Sequence, residues 1–177
     1  MKNKFSIFLI FLLIFYIPTT ISEVIANDLP RFVATKFNES NLRIGASIDY
    51  PIKLTYRVKN FPLKIIGEYE LWREVVDIDG NQGWMKKSLL KNKRYGIVNT
   101  QHNESAHIFN KPKGQIIGKI GNNNIVKINK CFNSWCFVSI KDHKGWINKF
   151  NIWGIKKEEK FNMPFYQSLI EIYWKLI

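Results

Sequence analysis

The feature that most constrains the fold is a series of short strand-like segments between residues 41 and 90, each followed by a turn signal. Residues 52–58, 63–69 and 72–76 are rich in β-branched and aromatic side chains, which is typical of strands. Asp79-Gly80-Asn81 then predicts a tight turn, because Gly and Asn tolerate positive φ. Short strands at this spacing predict a small β-barrel.

The second half of the chain repeats this pattern. Trp135 and Gly145-Trp146 correspond to Trp72 and Gly83-Trp84, and the separation from Trp to Gly is 11 residues in the first copy and 10 in the second. A hairpin loop absorbs a difference of one residue, so the repeat predicts two tandem barrels. The same alignment matches residues 106–109 with 41–44, residues 114–120 with 52–58, and residues 125–130 with 63–67.

The motifs of the first copy resemble those of the bacterial SH3-like (SH3b) domain family. They are, in order, Asn41-x-Arg43-x-Gly45-x-Ser47, Tyr50-Pro51-Ile52, Trp72-x-x-Val75, Asp79-Gly80 and Gly83-Trp84-Met85. The resemblance implies an all-β fold of two SH3-like domains, which we expect at residues 31–98 and 104–154. In this interpretation residues 31–37 contain the first strand, residues 95–98 close the first domain, and residues 99–104 are the linker.

The N-terminal residues 1–26 have the composition of a secretory signal peptide. A basic start, Met1-Lys2-Asn3-Lys4, precedes an apolar segment at residues 5–17, and Val24-Ile25-Ala26 fits a cleavage site. The apolar segment is shorter than the roughly 20 residues of a membrane span. We therefore expect an exported, periplasmic protein, with retention of the segment as a membrane anchor as the alternative.

The chain is strongly basic, with a formal net charge of +13, or +12 once Lys2, Lys4 and Glu23 are removed with residues 1–26. One interpretation is attraction to a polyanion such as an acidic glycan, a cell-wall peptide or an anionic lipid surface. The other is nucleotide bias, because Lys, Asn and Ile are abundant and only five of the basic residues are Arg. Both interpretations remain open.

The only two cysteines fall at corresponding places of the repeat. Cys131 and Cys136 flank a four-residue hairpin loop, and the matching positions of the first copy hold Glu68 and Arg73. An acid–base pair in one copy and a cysteine pair in the other indicates a cross-strand neighbour position. In an exported protein this favours a disulfide. The alternative is a zinc site that adds His107 or His143 to the two sulfurs, although the spacing fits no standard pattern.

Residues for catalysis are not arranged in any recognisable pattern. Both cysteines are assigned to a hairpin, His102, His107 and His143 lie in or near polar turns, and no Gly-rich phosphate loop precedes a helix. Asp77 and Asp79 stand beside a turn glycine, where Asp normally accepts backbone hydrogen bonds. We therefore expect a protein that is not an enzyme, with no cofactor, no metal and no nucleic-acid partner.

Aromatic side chains provide the signal for binding, since two small cores do not need so many. In SH3-like barrels such side chains line a groove for an extended peptide. Trp84 and Trp146 are interpreted either as core residues or as groove residues. Our candidate ligand-binding residues are Tyr50 and Trp72, with Arg43 as an anion contact. The second copy lacks the Arg and the Gly-x-Ser of the motif, so we expect the first domain to bind.

The C-terminal extension, residues 155–177, contains the only helical signal. Asn162-Met163-Pro164 predicts a helix start, and the following residues are apolar on nearly every side. Such a helix must dock on the barrels or bind a partner protein or a membrane surface through residues 164–177.

Two functions follow from these patterns. The first is a cell-envelope binding or targeting module for a cell-wall glycan or peptide (peptidoglycan) or for an envelope protein. The alternative is a structural adaptor that acts through the C-terminal helix.

Overall fold

The computed structural model describes residues 29–101 and 104–162, which form two seven-stranded antiparallel sheets. The first sheet contains β1 (Arg31–Thr35), β2 (Ser40–Arg43), β3 (Ile52–Tyr56), β4 (Pro62–Tyr69), β5 (Trp72–Val76), β6 (Gln82–Lys86) and β7 (Leu90–Lys91). Its strand order is β3-β2-β6-β5-β4-β1-β7. A short 3-10 helix, Lys87–Leu89, joins β6 to β7.

The second sheet repeats the first strand for strand. It contains β8 (Tyr95–Val98), β9 (Ala106–Phe109), β10 (Ile116–Ile120), β11 (Ile125–Phe132), β12 (Trp135–Ile140), β13 (His143–Asn148) and β14 (Ile152–Trp153). Its order is β10-β9-β13-β12-β11-β8-β14, with a 3-10 helix at Lys149–Asn151. The expected all-β fold and the internal repeat are confirmed, and the described ranges contain no α-helix.

The predicted domain boundary at residue 98 is wrong. Strand β8 pairs with β11 and β14 of the second sheet, just as β1 pairs with β4 and β7 of the first. Residues 99–101 also belong to the second domain, since Asn99 N–H donates to Asn151 O at 2.9 Å. The connector between the sheets is therefore residues 92–94 and not residues 99–104. The strand character of residues 95–98 was recognised, but sequence does not show which sheet a strand joins.

The predicted alignment of the two openings is shifted. Arg43 pairs with Trp84, and Phe109 pairs with Trp146, so Phe109 and not His107 is next to the equivalent tryptophan. The shift is one residue in this strand. It is two residues in the next strand, where Ile116 of β10 stands where Ile52 of β3 stands. The loop between β9 and β10 has six residues against eight between β2 and β3, whereas the predicted alignment had shortened it by three.

Each sheet encloses its own core. In the first domain Leu42, Leu63, Val75 and Met85 are fully buried, and the alternation of buried and half-buried residues along β5 follows the period of two in a strand. The core of the second domain is formed by the equivalent strands, with Ile108, Val126, Ile128, Val138 and Ile147. The chain therefore has two separate hydrophobic cores, one for each of the two domains that the sequence repeat predicts.

A buried hydrogen bond closes one end of the first core. Tyr56 OH donates to Asp77 Oδ2 at 2.9 Å, and burial followed by this bond raises the pKa of the tyrosine. The Asp77 carboxylate also accepts from the backbone N–H groups of Asp79 and Asn81, which fixes the β5–β6 turn. The expected backbone-binding role of an aspartate here is confirmed.

The cysteine pair forms the predicted disulfide. Cys131 and Cys136 lie opposite one another on β11 and β12, and both side chains are fully buried. Glu68 and Arg73 pair in the same way on β4 and β5, with Arg73 Nε 3.2 Å from Glu68 Oε1. The zinc alternative fails because each sulfur is bonded to the other.

Residues 155–162, which we call the C-terminal strap, cover one end of the second domain. Phe161 pairs with Cys131 through two backbone hydrogen bonds of 3.2 Å. The ammonium of buried Lys149 donates to the carbonyls of Lys157 and Glu159, at 3.0 and 2.9 Å. Burial lowers the pKa of Lys149, because forming this contact requires desolvation of the ammonium charge. The strap is thus part of the second domain.

Aromatic contacts join the two domains. The rings of Phe32 on β1 and Trp153 on β14 meet edge to face, with centroids 5.2 Å apart. The Arg94 guanidinium carbon lies 5.7 Å from the Phe32 centroid and 5.5 Å from that of Phe161. Arg94 also donates to Glu159 of the strap, so one side chain connects the first domain, the second domain and the strap.

Two predictions lie outside the described residues. The signal peptide at 1–26 and the helix beginning near Pro164 both belong to ranges that the structure does not describe. Over residues 29–101 and 104–162, no helix has the length and hydrophobicity needed to cross a membrane.

Candidate functional site

Two of the three predicted ligand-binding residues are in contact. Arg43 lies at the end of β2, and its Nη1 donates to the carbonyl oxygen of Tyr50 at 2.6 Å. The phenol ring of Tyr50 is about half exposed. The guanidinium therefore holds the end of the loop at residues 44–51 and leaves the tyrosine ring at the surface.

The other residues of the opening motif also shape this loop. A Cβ atom on Gly45 would lie 2.5 Å from Cδ2 of Tyr50, so glycine is needed for the ring to pack on the backbone. Ser47 Oγ bonds to Asp49, and Asn41 Oδ1 accepts from Thr55 Oγ1. Each motif residue thus has a structural role that accounts for its presence.

Trp72 lies on the same outer face of the sheet as Arg43. Arg43 pairs with Trp84, Trp84 with Glu74, and Trp72, two residues before Glu74, with Lys86. Side chains two residues apart and cross-strand partners share a face. The outer face of the first domain therefore combines two tryptophans with Arg43, Lys86 and Glu74.

The tryptophans that follow glycine are not core residues. Trp84 and Trp146 are half-buried on the outer face, whereas the next residues, Met85 and Ile147, are fully buried. The preceding glycines are required because a Cβ on Gly83 or Gly145 would meet Leu42 or Ile108 from β2 or β9 at less than 3 Å. The interpretation of these tryptophans as core residues is therefore wrong, and their role in a groove stays a prediction.

The outer face of the second domain carries a continuous aromatic layer. Phe109 and Trp135 meet edge to face at 5.2 Å between centroids, and Trp146 lies 5.2 Å from both Phe132 and Phe137. The Lys130 ammonium lies 5.2 Å from the Trp146 centroid and 5.7 Å from that of Phe137. Because Phe109 and Trp135 occupy the places of Arg43 and Trp72, their contact shows that those two positions are within side-chain reach.

A groove runs beside this aromatic layer, with a volume of about 550 Å³. It is lined by the rings of Phe109, Trp135 and Phe150 and by residues 99–101, 104 and 105. Phe150 is 68% exposed, and its backbone N–H is held by Asn148 Oδ1 at 3.0 Å. The groove therefore presents an exposed ring that its own backbone fixes in place.

The polar side chains that line this groove are mostly neutral, and the groove also contains the carboxylate of Glu104 and the imidazole of His107. Its polar lining is mostly amide and hydroxyl groups, from Asn99, Thr100, Gln101, Asn148 and Asn151. Such groups both donate and accept hydrogen bonds, while aromatic faces pack against sugar rings or apolar peptide side chains. This combination suits a glycan or an extended peptide, since most sites of this kind combine apolar walls with a few placed polar groups.

The sequence analysis missed Phe109, Phe137 and Phe150 as parts of this surface. Phe109 was aligned with Ile44 and not with Arg43, which hid its place beside Trp146. Alternation with buried Ile108 and Val138 marks Phe109 and Phe137 as outward-facing, and this signal was available. Phe150 follows no strand period, because it lies in the 3-10 helix between β13 and β14.

The described residues offer no centre for metal or thiol chemistry. Within residues 29–101 and 104–162, no group of three or more His, Cys, Asp or Glu side chains lies close enough to hold a metal ion. Both cysteine sulfurs are in the disulfide. What the described surface presents is a set of aromatic and polar groups suited to contact.

Comparison with known proteins agrees with the fold. The family described as "Bacterial SH3 domain" matches residues 36–92 and 107–154, which together are more than half of the chain. The solved structure of NlpC1 from Trichomonas vaginalis is similar over 72% of this chain and 46% of that one, at 15% identity and a TM-score of 0.33. This chain thus spans less than half the length of NlpC1. The search of curated proteins gave no match.

Proposed function

Because this chain belongs to the bacterial SH3 domain family, we propose that it is a non-enzymatic binding module of the cell envelope. The ligand we propose is peptidoglycan. The observation that carries this proposal is the groove of the second domain, where Phe109, Trp135 and the exposed ring of Phe150 face a wall of amide groups. Peptidoglycan offers both components that such a groove suits, namely sugar rings and short peptides.

The first domain supports the same function with different chemistry. Its outer face replaces Phe109 by Arg43, next to Trp72 and Trp84, and so adds a positive charge to the aromatic surface. Four of the five N–H groups of the guanidinium remain beyond the one bonded to Tyr50. We expect this face to favour a carboxylate of the peptide stem, whereas the second domain favours neutral groups.

Binding to purified peptidoglycan sacculi tests the proposal. We expect sedimentation of the full chain with sacculi, and weakening by Trp135→Ala, which removes one wall of the groove. Arg43→Ala should weaken binding by about 1–3 kcal/mol if it forms a charge-assisted hydrogen bond to the ligand. His107→Ala should have a small effect, because His107 lines the groove only with an exposed side chain and is not the equivalent of Arg43.

Salt separates specific from general attraction. With a net charge of +13, the surface attracts polyanions at low ionic strength, but at 1 M salt the Debye length falls to about 3 Å. Binding that Trp135→Ala and Arg43→Ala weaken at both ionic strengths supports the proposal. Equal binding by all variants, or binding abolished by salt alone, would show that the aromatic faces are structural. Circular dichroism of each variant checks that it is folded.

A truncation tests the adaptor alternative. Deletion of residues 163–177 keeps Phe161 and Asn162, which contact the second domain. Retained sacculus binding by this variant supports the role of the domains. Loss of binding would favour a protein partner or a membrane surface that contacts residues 164–177.

Export to the periplasm is part of the proposal. It rests on the composition of residues 1–26 and on a disulfide, which forms and persists in oxidising compartments. Cell fractionation with a cytoplasmic and a periplasmic marker decides the compartment, and recovery with the cytoplasmic marker would contradict it.

A further inference from the structure

The two domains differ at the end that the C-terminal strap covers. In the second domain the strap lies over β11, Arg94 and Lys149. In the first domain the same end is an open cavity of about 770 Å³, lined by Arg31, Glu68, Arg73 and Lys87 together with Leu90 and other residues. The chain thus contains one covered and one uncovered copy of the same site.

Residue by residue, the open cavity repeats the groups that hold the strap. Lys87 begins the 3-10 helix of the first domain as Lys149 begins that of the second, and both backbone N–H groups donate at 2.8 Å to the preceding hairpin loop. Lys149 donates to two strap carbonyls, whereas Lys87 is exposed. The first domain therefore has the equivalent lysine, Lys87, but within the described residues it has no strap whose carbonyls this lysine binds.

The arginine and the strand edge are repeated as well. Arg31 begins β1 and stands where Arg94 precedes β8, and Arg94 binds the Glu159 carboxylate. The edge of β11 at Cys131 takes up Phe161, whereas β1 pairs with β4 only as far as Ile65. Within the described ranges no residue pairs with the edge of β4 at Glu68, so this edge is open to another strand.

From this equivalence we infer that the first domain has a second binding site, which takes an extended peptide with a carboxylate side chain by adding a short strand beside Glu68. Arg31, Arg73, Lys87 and Lys91 line the cavity with the single carboxylate of Glu68, which pairs with both arginines, so the net positive charge of the site suits a carboxylate side chain. Strand addition gives affinity through main-chain bonds and specificity through side-chain pockets.

The chemistry of the occupant follows from the strap. Glu159 provides the carboxylate, Phe161 the paired backbone, and the carbonyls of residues 157 and 159 the acceptors for lysine. In place of the disulfide under the strap, the first domain has the ion pairs of Glu68 with Arg31 and Arg73. Because the Arg31 guanidinium already bonds to Glu68, we expect the carboxylate of a peptide to lie between Arg31 and the exposed Lys87.

A labelled synthetic peptide of residues 155–162 is the probe, titrated with the full chain by fluorescence anisotropy. We expect saturable binding of one peptide per chain. Lys87→Ala should weaken it by about two-fold to ten-fold, as removal of one or two hydrogen bonds implies. Lys59→Ala, which replaces an exposed lysine of the same domain outside the cavity, is the matched control and should bind as wild type does. The same peptide with Glu159→Ala should also bind several-fold more weakly.

Three results would overturn the inference. One is no binding up to about 1 mM peptide, which is the limit of a weak specific contact. Another is equal weakening by Lys87→Ala and Lys59→Ala, which would indicate general charge attraction. The third is dependence on Lys149 and not on Lys87, which would place the peptide on the second domain in exchange for its own strap. None of these results bears on sacculus binding through the outer faces, so the two proposals fail separately.

Discussion

Replacing Cys131 and Cys136 by alanine should destabilise the second domain and leave the first unchanged. The cross-link closes a loop with a sequence separation of 5. On the chain-entropy estimate, a loop of this size contributes about 2 kcal/mol to the free energy of unfolding. Both sulfurs are fully buried, so the variant also loses packing, and about 1 kcal/mol more is expected from the void.

The reverse change is available in the first domain. Glu68 and Arg73 occupy the cross-strand positions that the cysteines hold in the second, so Glu68→Cys with Arg73→Cys should form a disulfide under oxidising conditions. The gain should be smaller than the loss in the second domain, because Arg31 loses its ion pair with Glu68. Reduction of this variant provides its own control, since the side chains remain and only the bond is removed.

Hydrogen exchange measured by mass spectrometry separates the two domains, because peptides from β4–β5 and β11–β12 are distinct in sequence. Urea titration followed in this way should show a midpoint lowered by about 1–2 M for the second domain alone, given the small m-value of a domain of this size. Identical midpoints for oxidised and reduced wild type would refute the entropy argument. A shift in both domains would show that they unfold together through the Phe32–Trp153 contact.

Three further outcomes are expected. Tyr56→Phe removes the buried bond to Asp77 and should destabilise the first domain by about 1.5–3 kcal/mol, as for a bond to a charged group, which urea unfolding measures. Lys149→Met removes two bonds to the strap and should cost about 1–3 kcal/mol. Burial lowers the pKa of Lys149 below the 10.5 of the unfolded chain. Between the two pKa values the unfolded state therefore binds more protons than the folded state. The contribution of Lys149 should therefore become more favourable as pH rises toward 10.5, and a difference from Lys149→Met that is flat in pH would contradict this. Intact mass of protein from its native host should correspond to a chain that begins at Asn27, whereas a mass retaining Met1 would support the anchored form.

Local patterns predicted the strands and the cysteine pairing. Turn residues such as Asp79-Gly80 mark the ends of strands, and the pairing of Glu68 with Arg73 could be inferred because a hairpin is a local structure. Strand β8 was assigned to the wrong domain for the opposite reason. Its partners, β11 and β14, are distant in sequence, and no local feature of residues 95–98 indicates them.

Part of the candidate site was predicted from the sequence, and an error in strand register explains why another part was missed. Arg43 and Tyr50 were found through the motif, and they are in contact. Phe109 was missed because a strand slipped by one residue exchanges its outward and inward side chains. The shorter loop before β10 gave no signal for placing that slip. The role of Lys149 was also invisible, since its acceptors lie in the strap, beyond the residues that the family matches.

The place of the strap has a consequence for the order in which the chain acquires its structure during synthesis. All strands of the first sheet lie between Arg31 and Lys91, so this domain can fold while the rest is still being made. The second sheet ends with β14, and the strap at residues 155–162 emerges after it. Until the strap emerges, Lys149 lacks the carbonyls of Lys157 and Glu159, and Arg94 lacks the Glu159 carboxylate. Emergence of the strap, which lies beyond the family-matched region, thus completes the contacts of these two buried or half-buried cations.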